Sequence, residues 1–250
     1  AAYKSVGESV KNPQKYYKNN IGSTEVLLKC LEKNKFKNLI FSSSCTVYGM
    51  PDVLPVSEDA PFKKAESPYG ETKQECEILI SENLCNSISL RYFNPIGSHD
   101  SGLIGDCSRD NANNLVPIVT EVACGIRDKL MVNGNDYNTH DGTCIRDYIH
   151  VQDLAVAHVK ALDFLLDNKV KDVFNVGTGK GLSVLDIIND FQEVNDLKLN
   201  YEFGPRREGD VEKIYSDGNK TKNILGWSAK KTTKEAVISA WNWQTSKNNT

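Results

Sequence analysis

Apolar positions recur at steps of three and four from Pro13 to Asn34, through Tyr17, Ile21, Thr24, Leu28 and Leu31, and predict a helix. Lys37–Ser43 (KNLIFSS) is an apolar run too short for a helix and suited to a buried parallel strand. The proline-rich stretch MPDVLPVSEDAP predicts a loop. After it, Pro68, Tyr69, Thr72, Lys73, Cys76 and Leu79 wind as a helix to about Glu82. Ser87–Tyr92 (SISLRY) alternates like a strand, and FNPIGSHDSG closes it as a loop. The order helix, strand, helix, strand is the rhythm of a doubly wound parallel sheet.

The second half is more mixed. Asn114–Gly125 reads as a helix, Leu130–Asn133 as a short strand and Asp136–Asp147 as a polar loop or extended segment. Asp153 is placed to cap a helix through Leu166, whose stripe Leu154, His158, Ala161 and Leu165 is core-facing. The strand Asp172–Val176 follows, then a helix capped by Ser183 and running to about Val194. Tyr201–Phe203 is a strand, Pro205–Asp210 a charged loop, Lys220–Leu225 a short helix and Thr232–Gln244 the last helix. Without repeats or a long linker, the two halves are expected to share segments.

Composition narrows the class. The 250 residues are 39% hydrophobic and 25% charged, which suits one large or two interleaved globular domains. A net charge of −3 gives no field to attract nucleic acid or an anionic membrane surface, so neither is expected as a partner. No apolar run approaches the roughly 18 residues needed to span a bilayer. The seven cysteines are scattered without a C-x-x-C, which points to reduced thiols in a cytoplasmic compartment rather than disulfides or zinc. The four histidines lack metal-ligand spacing, and no metal is expected. The opening AAYKSVGESV has neither a methionine nor a targeting pattern, and reads as the interior of a longer protein.

Open α/β sheets bind ligands beyond the carboxyl ends of their strands. Three polar clusters fall there: Ser42–Ser44 with Thr46, Phe93–Asn94, and Gly177–Gly181. Tyr69 and Lys73, four apart, share one helical face. An ammonium about 4 Å from a phenolate, at an effective dielectric near 20, stabilises it by roughly 4 kcal/mol. That would lower the phenol's pKa by roughly three, into the range useful for acid–base catalysis. The G-x-G-x-G of 177–181 is one residue short of a dinucleotide fingerprint and has no acidic residue closing a later strand; it reads as a strand-to-helix turn. Blander readings stand beside several residues. Lys4 and Asn19 suit a solvated surface, Ser42 and Ser43 a strand end, and Arg206–Glu208 a solvated charge run. Arg146–Asp147 could be a surface ion pair worth under about 1 kcal/mol, and His150 a structural histidine.

The segments FSSSCTVYG (41–49), SPYGETK (67–73), LRYFNPIGSH (90–99), GNDYNTHDGTCIRDYIHVQDLA (134–155) and PRREGDV (205–211) resemble the UDP-glucose 4-epimerase family of the extended short-chain dehydrogenase/reductase superfamily. The resemblance covers the chain to about Gln244. It implies a Rossmann-like α/β fold lacking its first βαβαβ unit, with a smaller mixed α/β substrate domain. Residues 1–94, joined by 147–180, would form the NAD-binding part, and 95–250 mainly the UDP-sugar part. Tyr69 would be the general base at the sugar 4-hydroxyl, Lys73 its assistant and ribose partner, and Ser44 a hydrogen-bonding partner. Ala1, Ala2, Lys4, Asn19 and Phe93 would join these three around NAD. Asn94, Asn114, Leu115, Met131, Val132, Asn133, Arg146, Arg207, Asp210 and Ile214 would hold the UDP-sugar, the arginines meeting phosphate bidentately.

The implied reaction oxidises C4 to a ketone, turns the intermediate over and reduces its other face, interconverting UDP-glucose and UDP-galactose. The complete protein would be a homodimer through the Asn12–Asn34 and Tyr69 helices, whereas the chain as given is expected to hold NAD weakly and turn over little. Two departures matter: Asn133 stands where an aromatic usually meets the uracil, and Ile214 stands where side-chain size gates N-acetylated sugars. The alternatives are a non-catalytic nucleotide-sugar-binding module and a nucleotide-sugar 4,6-dehydratase; the dehydratase would need acidic groups that the segment S-S-S-C-T does not offer.

Overall fold

The structure, a computed structural model, describes residues 2–107 and 112–248. It opens with a short helix, α1 (Val6–Lys11), whose Ser5 hydroxyl accepts from the Glu8 amide. Pro13 then starts α2 (Pro13–Tyr16), which runs through one π-helical turn (Tyr17–Ile21) into α3 (Gly22–Lys33). The single helix expected over 13–34 is thus present but locally widened. The widening turns Asn20 inward, where its amide bonds both the N–H and the C=O of Tyr3 and the Thr72 hydroxyl. π-turns concentrate where a helix must re-aim a side chain, and this one clasps the N-terminal segment to the next helix.

Three parallel strands follow as expected: β1 (Asn38–Ser44), β2 (Asn86–Tyr92) and, later, β6 (Lys171–Val176), in the order β1-β2-β6. The helix α4 (Pro68–Glu82) connects β1 to β2. Alternation along β2 separates its two faces. Ile88 and Leu90 enter a core with Phe174, Val176, Leu154, Ala157, Ala161 and Leu165 of α6 (Val151–Asn168). Ser87, Ser89 and Arg91 are also buried. Arg91 meets the Glu77 carboxylate of α4 through Nε and Nη2, at 3.1 and 2.7 Å, and donates to the Tyr48 hydroxyl at 2.9 Å. A buried guanidinium is tolerable only with such bidentate pairing and further bonds.

The remaining elements build a second, mixed unit. β5 (Ile145–His150) pairs in parallel with β3 (Asn94–Ile96) and antiparallel with β7 (Gly181–Ser183). A two-residue strand, β9 (Lys213–Ile214), lies parallel on β5, and β4 (Leu130–Asn133) pairs with β8 (Tyr201–Gly204). The helices α5 (Leu115–Ala123), α7 (Val184–Asn195) and α9 (Thr233–Asn248) enclose a core of Val116, Val119, Ile187, Ile188, Phe191 and Val237, while α8 (Asn219–Leu225) packs beside β6.

Three local expectations need correcting. FNPIG contributes a strand, β3, because Asn94–Ile96 finds a partner ladder in Tyr148–His150. α1 was not foreseen, since six residues carry too little periodicity. α6 is capped by His150, whose Nδ1 accepts from the Gln152 amide at 3.1 Å, not by Asp153. Asp153 instead accepts the amides of Lys230 and Lys231 at 2.9 and 2.8 Å. The Ser183 cap is as expected, reinforced by Asp186 in a capping box. No helix among the described residues is long and apolar enough to cross a membrane.

Candidate active site

The start of α4 is built for close approach. The Ser67 hydroxyl accepts from the Gly70 amide at 3.2 Å, and Pro68 occupies the first turn, where a missing N–H costs nothing. A Cβ on Gly70 would stand 3.1 Å from the Thr46 carbonyl, so the 3₁₀ turn Cys45–Tyr48 lies directly against the helix. Gln74 fixes that contact by donating to the Val47 and Lys63 carbonyls at 2.8 and 2.7 Å. As a result the Ser44 hydroxyl, at the end of β1, stands beside the Tyr69 phenol and favours its ionised form.

Lys73 is 5% exposed and lies on the same face, its Nζ 5.8 Å from the Tyr69 ring centre and 4.8 Å from that of Phe41. The ammonium donates to the Ser42 carbonyl at 2.7 Å. Here the expected electrostatics are corrected. Although Tyr69 as a residue is half-buried, its hydroxyl lies deep; burial pushes the phenol up to about 12, with the Ser44 hydroxyl pulling the other way. Burial likewise draws the Lys73 ammonium below its usual value. The lysine stem reaches past the ring to a strand-end carbonyl, so desolvation outweighs the Coulomb gain that the i, i+4 spacing suggested.

The charged loop at 205–210 closes over the same helix start. Gly209 has φ +83°, and a Cβ there would sit 3.1 Å from Val6, 3.2 Å from the Glu66 carbonyl and 3.5 Å from Ser67. Arg207 holds Asp210 through Nε at 3.1 Å and Nη2 at 2.7 Å, and the half-buried Arg146 of β5 lies 3.7 Å from the same carboxylate. Two guanidinium groups therefore converge on one carboxylate at the rim. Behind them, Ile214 (3% exposed) and Phe93 pack with Cys45, Val47, Tyr48 and Val56. Burial pushes the Cys45 thiol up to about 12, which leaves it a protonated packing group.

The other expected residues are placed unequally. Ala1 lies outside the described residues; Ala2 and Lys4 are exposed, and Asn19 is half-buried with its amide donating to Asn20. Phe93 is in a core cluster rather than on an open face. Asn94 opens β3, and Asn114 is exposed at the N-cap of α5 without a side-chain cap bond. Leu115 packs partly against the α5–α7–α9 core. Met131 is exposed, Asn133 half-buried, and Val132 faces the core.

The most informative site that sequence reasoning missed is Asp147. It is fully buried and is not the surface ion pair considered for Arg146–Asp147. Its carboxylate accepts from Thr178 N and Oγ1 at 2.8 and 2.6 Å, Gly179 N at 3.0 Å, and Ser216 N and Oγ at 3.1 and 2.6 Å. The glycine turn after β6 is therefore folded around an anion of the chain itself. The glycines were the available signal; the carboxylate 30 residues earlier in the chain was not.

A family model described as GDP-mannose 4,6 dehydratase matches residues 1–239. UDP-glucose 4-epimerase of Bacillus subtilis is 45% identical over 98% of this chain and 74% of that protein. The Dictyostelium discoideum enzyme of the same name is 46% identical over 98% and 72%. Among solved structures, UDP-glucose 4-epimerase from Bifidobacterium longum in complex with NAD+ and UDP superposes with a TM-score of 0.95 at 43% identity, covering 100% of this chain and 76% of the other. The Stenotrophomonas maltophila enzyme, with bound NAD and formylated UDP-arabinopyranose, gives a TM-score of 0.95 at 41% identity, covering 100% and 75%.

Proposed function

The chain belongs to the UDP-glucose 4-epimerase family of extended short-chain dehydrogenases/reductases, and on that premise we propose that it interconverts UDP-glucose and UDP-galactose by NAD-dependent epimerisation at C4. The observation that carries this reading is the Ser44–Tyr69 contact beside a buried Lys73, with the 205–210 loop bringing Arg207 and Asp210 over the same helix start and Arg146 against the same carboxylate.

The residues fit a dinucleotide's nicotinamide half. Lys73 has three ammonium protons, and the one acceptor that it bonds among the described residues is Ser42 O, so it retains donors for a ribose hydroxyl. The turn 177–179 is satisfied internally by Asp147 and would not serve the pyrophosphate. Tyr69, Lys73 and Ser44 would hold the group, with Ala2, Lys4 and Asn19 along its flank. When bound, NAD supplies the reversible two-electron oxidation at C4 and a positive charge near the phenol.

The protein's own part is proton movement and grip. Ionised as the phenolate, the Tyr69 oxygen takes the proton of the sugar 4-hydroxyl as the C4–O bond becomes a carbonyl, and Ser44 holds that oxygen in place. After the 4-keto sugar presents its other face, the same phenol returns the proton. Arg146 and Arg207 bind the diphosphate, and Asp210 accepts from a ribose hydroxyl. Because the grip is on the nucleotide, the hexose is left free to turn. Strands β1, β2 and β6 form the cofactor side, and the β3–β5–β7–β9 unit the sugar side. Val26, Leu27 and Ile78, exposed on α3 and α4, are the apolar positions through which a homodimer would pack.

The description of the matching family model favours a second reading, a 4,6-dehydratase. That chemistry needs a carboxylic acid beside the tyrosine, where this chain has Cys45 and Thr46. The test is product analysis of UDP-galactose incubated with the protein and NAD. UDP-glucose is expected, with Tyr69→Phe lowering kcat by about 10² to 10⁴ while UDP affinity stays unchanged. A 4-keto-6-deoxy product would establish the dehydratase, and UDP binding without turnover a binding module.

A further inference from the structure

β9, which carries Ile214, is held to β5 by a ladder of only two residues, Ile145↔Lys213 and Arg146↔Ile214. So short a strand has little pairing of its own to fix its register. Beyond it, Val56 brackets Ser216 through backbone bonds to Tyr215 and Asp217 at 2.9 and 2.8 Å, and Asp147 continues the attachment to β5. Its Oδ2 accepts the amide and the hydroxyl of Ser216, two residues beyond Ile214, and its Oδ1 accepts the amide and hydroxyl of Thr178. Ser216 Oγ also accepts from Gly179 N at 3.2 Å, which closes the ring between the two segments. A Cβ on Gly177 would stand 2.4 Å from the Asp147 carboxylate and 2.5 Å from Ser216 Oγ, so only glycine leaves room for the anion. Asp147 and Ser216 are both fully buried, and no cation is bonded to the carboxylate among the described residues. Five donors take the place of a counter-ion.

We propose that Asp147 is a positioning residue: by clamping the 177–179 turn and Ser216 onto β5, it holds Arg146 at the nucleotide-sugar site and its ladder partner Ile214 in the packing directly behind. The inference rests on the epimerase reading for what those two residues touch. Asp147 itself meets no substrate.

The test compares Ser216→Ala, which removes one donor to Asp147 and the acceptor for Gly179 N, with Asp153→Asn, which weakens a different buried carboxylate holding the Lys230 and Lys231 amides. Both variants are expected to lower the melting temperature. Ser216→Ala alone is expected to raise the Kd for UDP and the KM for UDP-galactose about tenfold, with kcat falling less than KM rises. Asp147→Asn, which turns an acceptor into a donor facing donors, should give the same signature more strongly if it folds. Ser216→Ala with reduced stability and unchanged KM overturns the proposal, as does an equal KM change in Asp153→Asn. Arg146→Ala separates the two levels. If it leaves UDP affinity unchanged, the assignment of the face is wrong; if it weakens UDP while Ser216→Ala does not, only the positioning role fails.

Discussion

Tyr69 shows what a single residue's position in the sequence can and cannot reveal. Its i, i+4 spacing to Lys73 was legible and correctly put both on one face, but the direction of its pKa was not, because desolvation depends on tertiary depth. The raised value has a consequence for stability. A phenol whose folded pKa is about 12, against about 10 in the unfolded chain, contributes stability in full below pH 10. As pH climbs from 10 toward 12 the unfolded chain ionises first, and that contribution is lost. Denaturant midpoints measured at pH 9, 10 and 11 are therefore expected to fall, and to fall less steeply in Tyr69→Phe. Identical slopes in the two proteins would contradict the buried phenol. At neutral pH, Arg207→Ala is expected to weaken UDP binding by about tenfold to a hundredfold, the loss of one charge-assisted phosphate contact; calorimetry reads it directly.

Among elements, those with a complete local signal were legible: β1, β2 and β6 as short apolar runs, α4 from its Ser-Pro start, and α7 from the Ser183 cap. β3 and the π-turn were not, because each exists only through a distant partner, Tyr148–His150 in one case and Tyr3 with Thr72 in the other. Asn20 is the sharper example: its neighbour Asn19 drew attention by resemblance, yet Asn20 is the buried amide that closes four hydrogen bonds, one of them donated by Asn19. Asn20→Ala is expected to cost about 2 kcal/mol in chemical denaturation, since it leaves buried polar groups unpaired. Ser183→Ala should cost about 1 kcal/mol by removing a helix cap. Hydrogen exchange at the Tyr3 amide should accelerate in the first variant and not in the second.

For the molecule as a whole, the alternation of helix and strand was enough to give a parallel α/β architecture, and the charged loop 205–210 was recognisable as a candidate ligand-binding segment. How that loop reaches α4 was not legible, because it depends on Gly209 packing against Val6 and Ser67 from opposite ends of the chain. The apolar positions Val26, Leu27 and Ile78 are 61%, 43% and 40% exposed, and on the dimer reading proposed above they form the face that a second copy would cover. Val26→Glu combined with Ile78→Glu is expected to shift sedimentation from dimer to monomer; a wild type that sediments as a monomer would refute the self-association.

The closed turn at 177–181 has one more consequence, for small inorganic anions. A phosphate or pyrophosphate ion finds no foothold where the chain already supplies its own negative group. On the proposed reading, competition by such ions against UDP-sugar would come from Arg146 and Arg207. The potency of pyrophosphate as an inhibitor becomes a simple gauge of how much of the nucleotide's hold is charge rather than base or sugar.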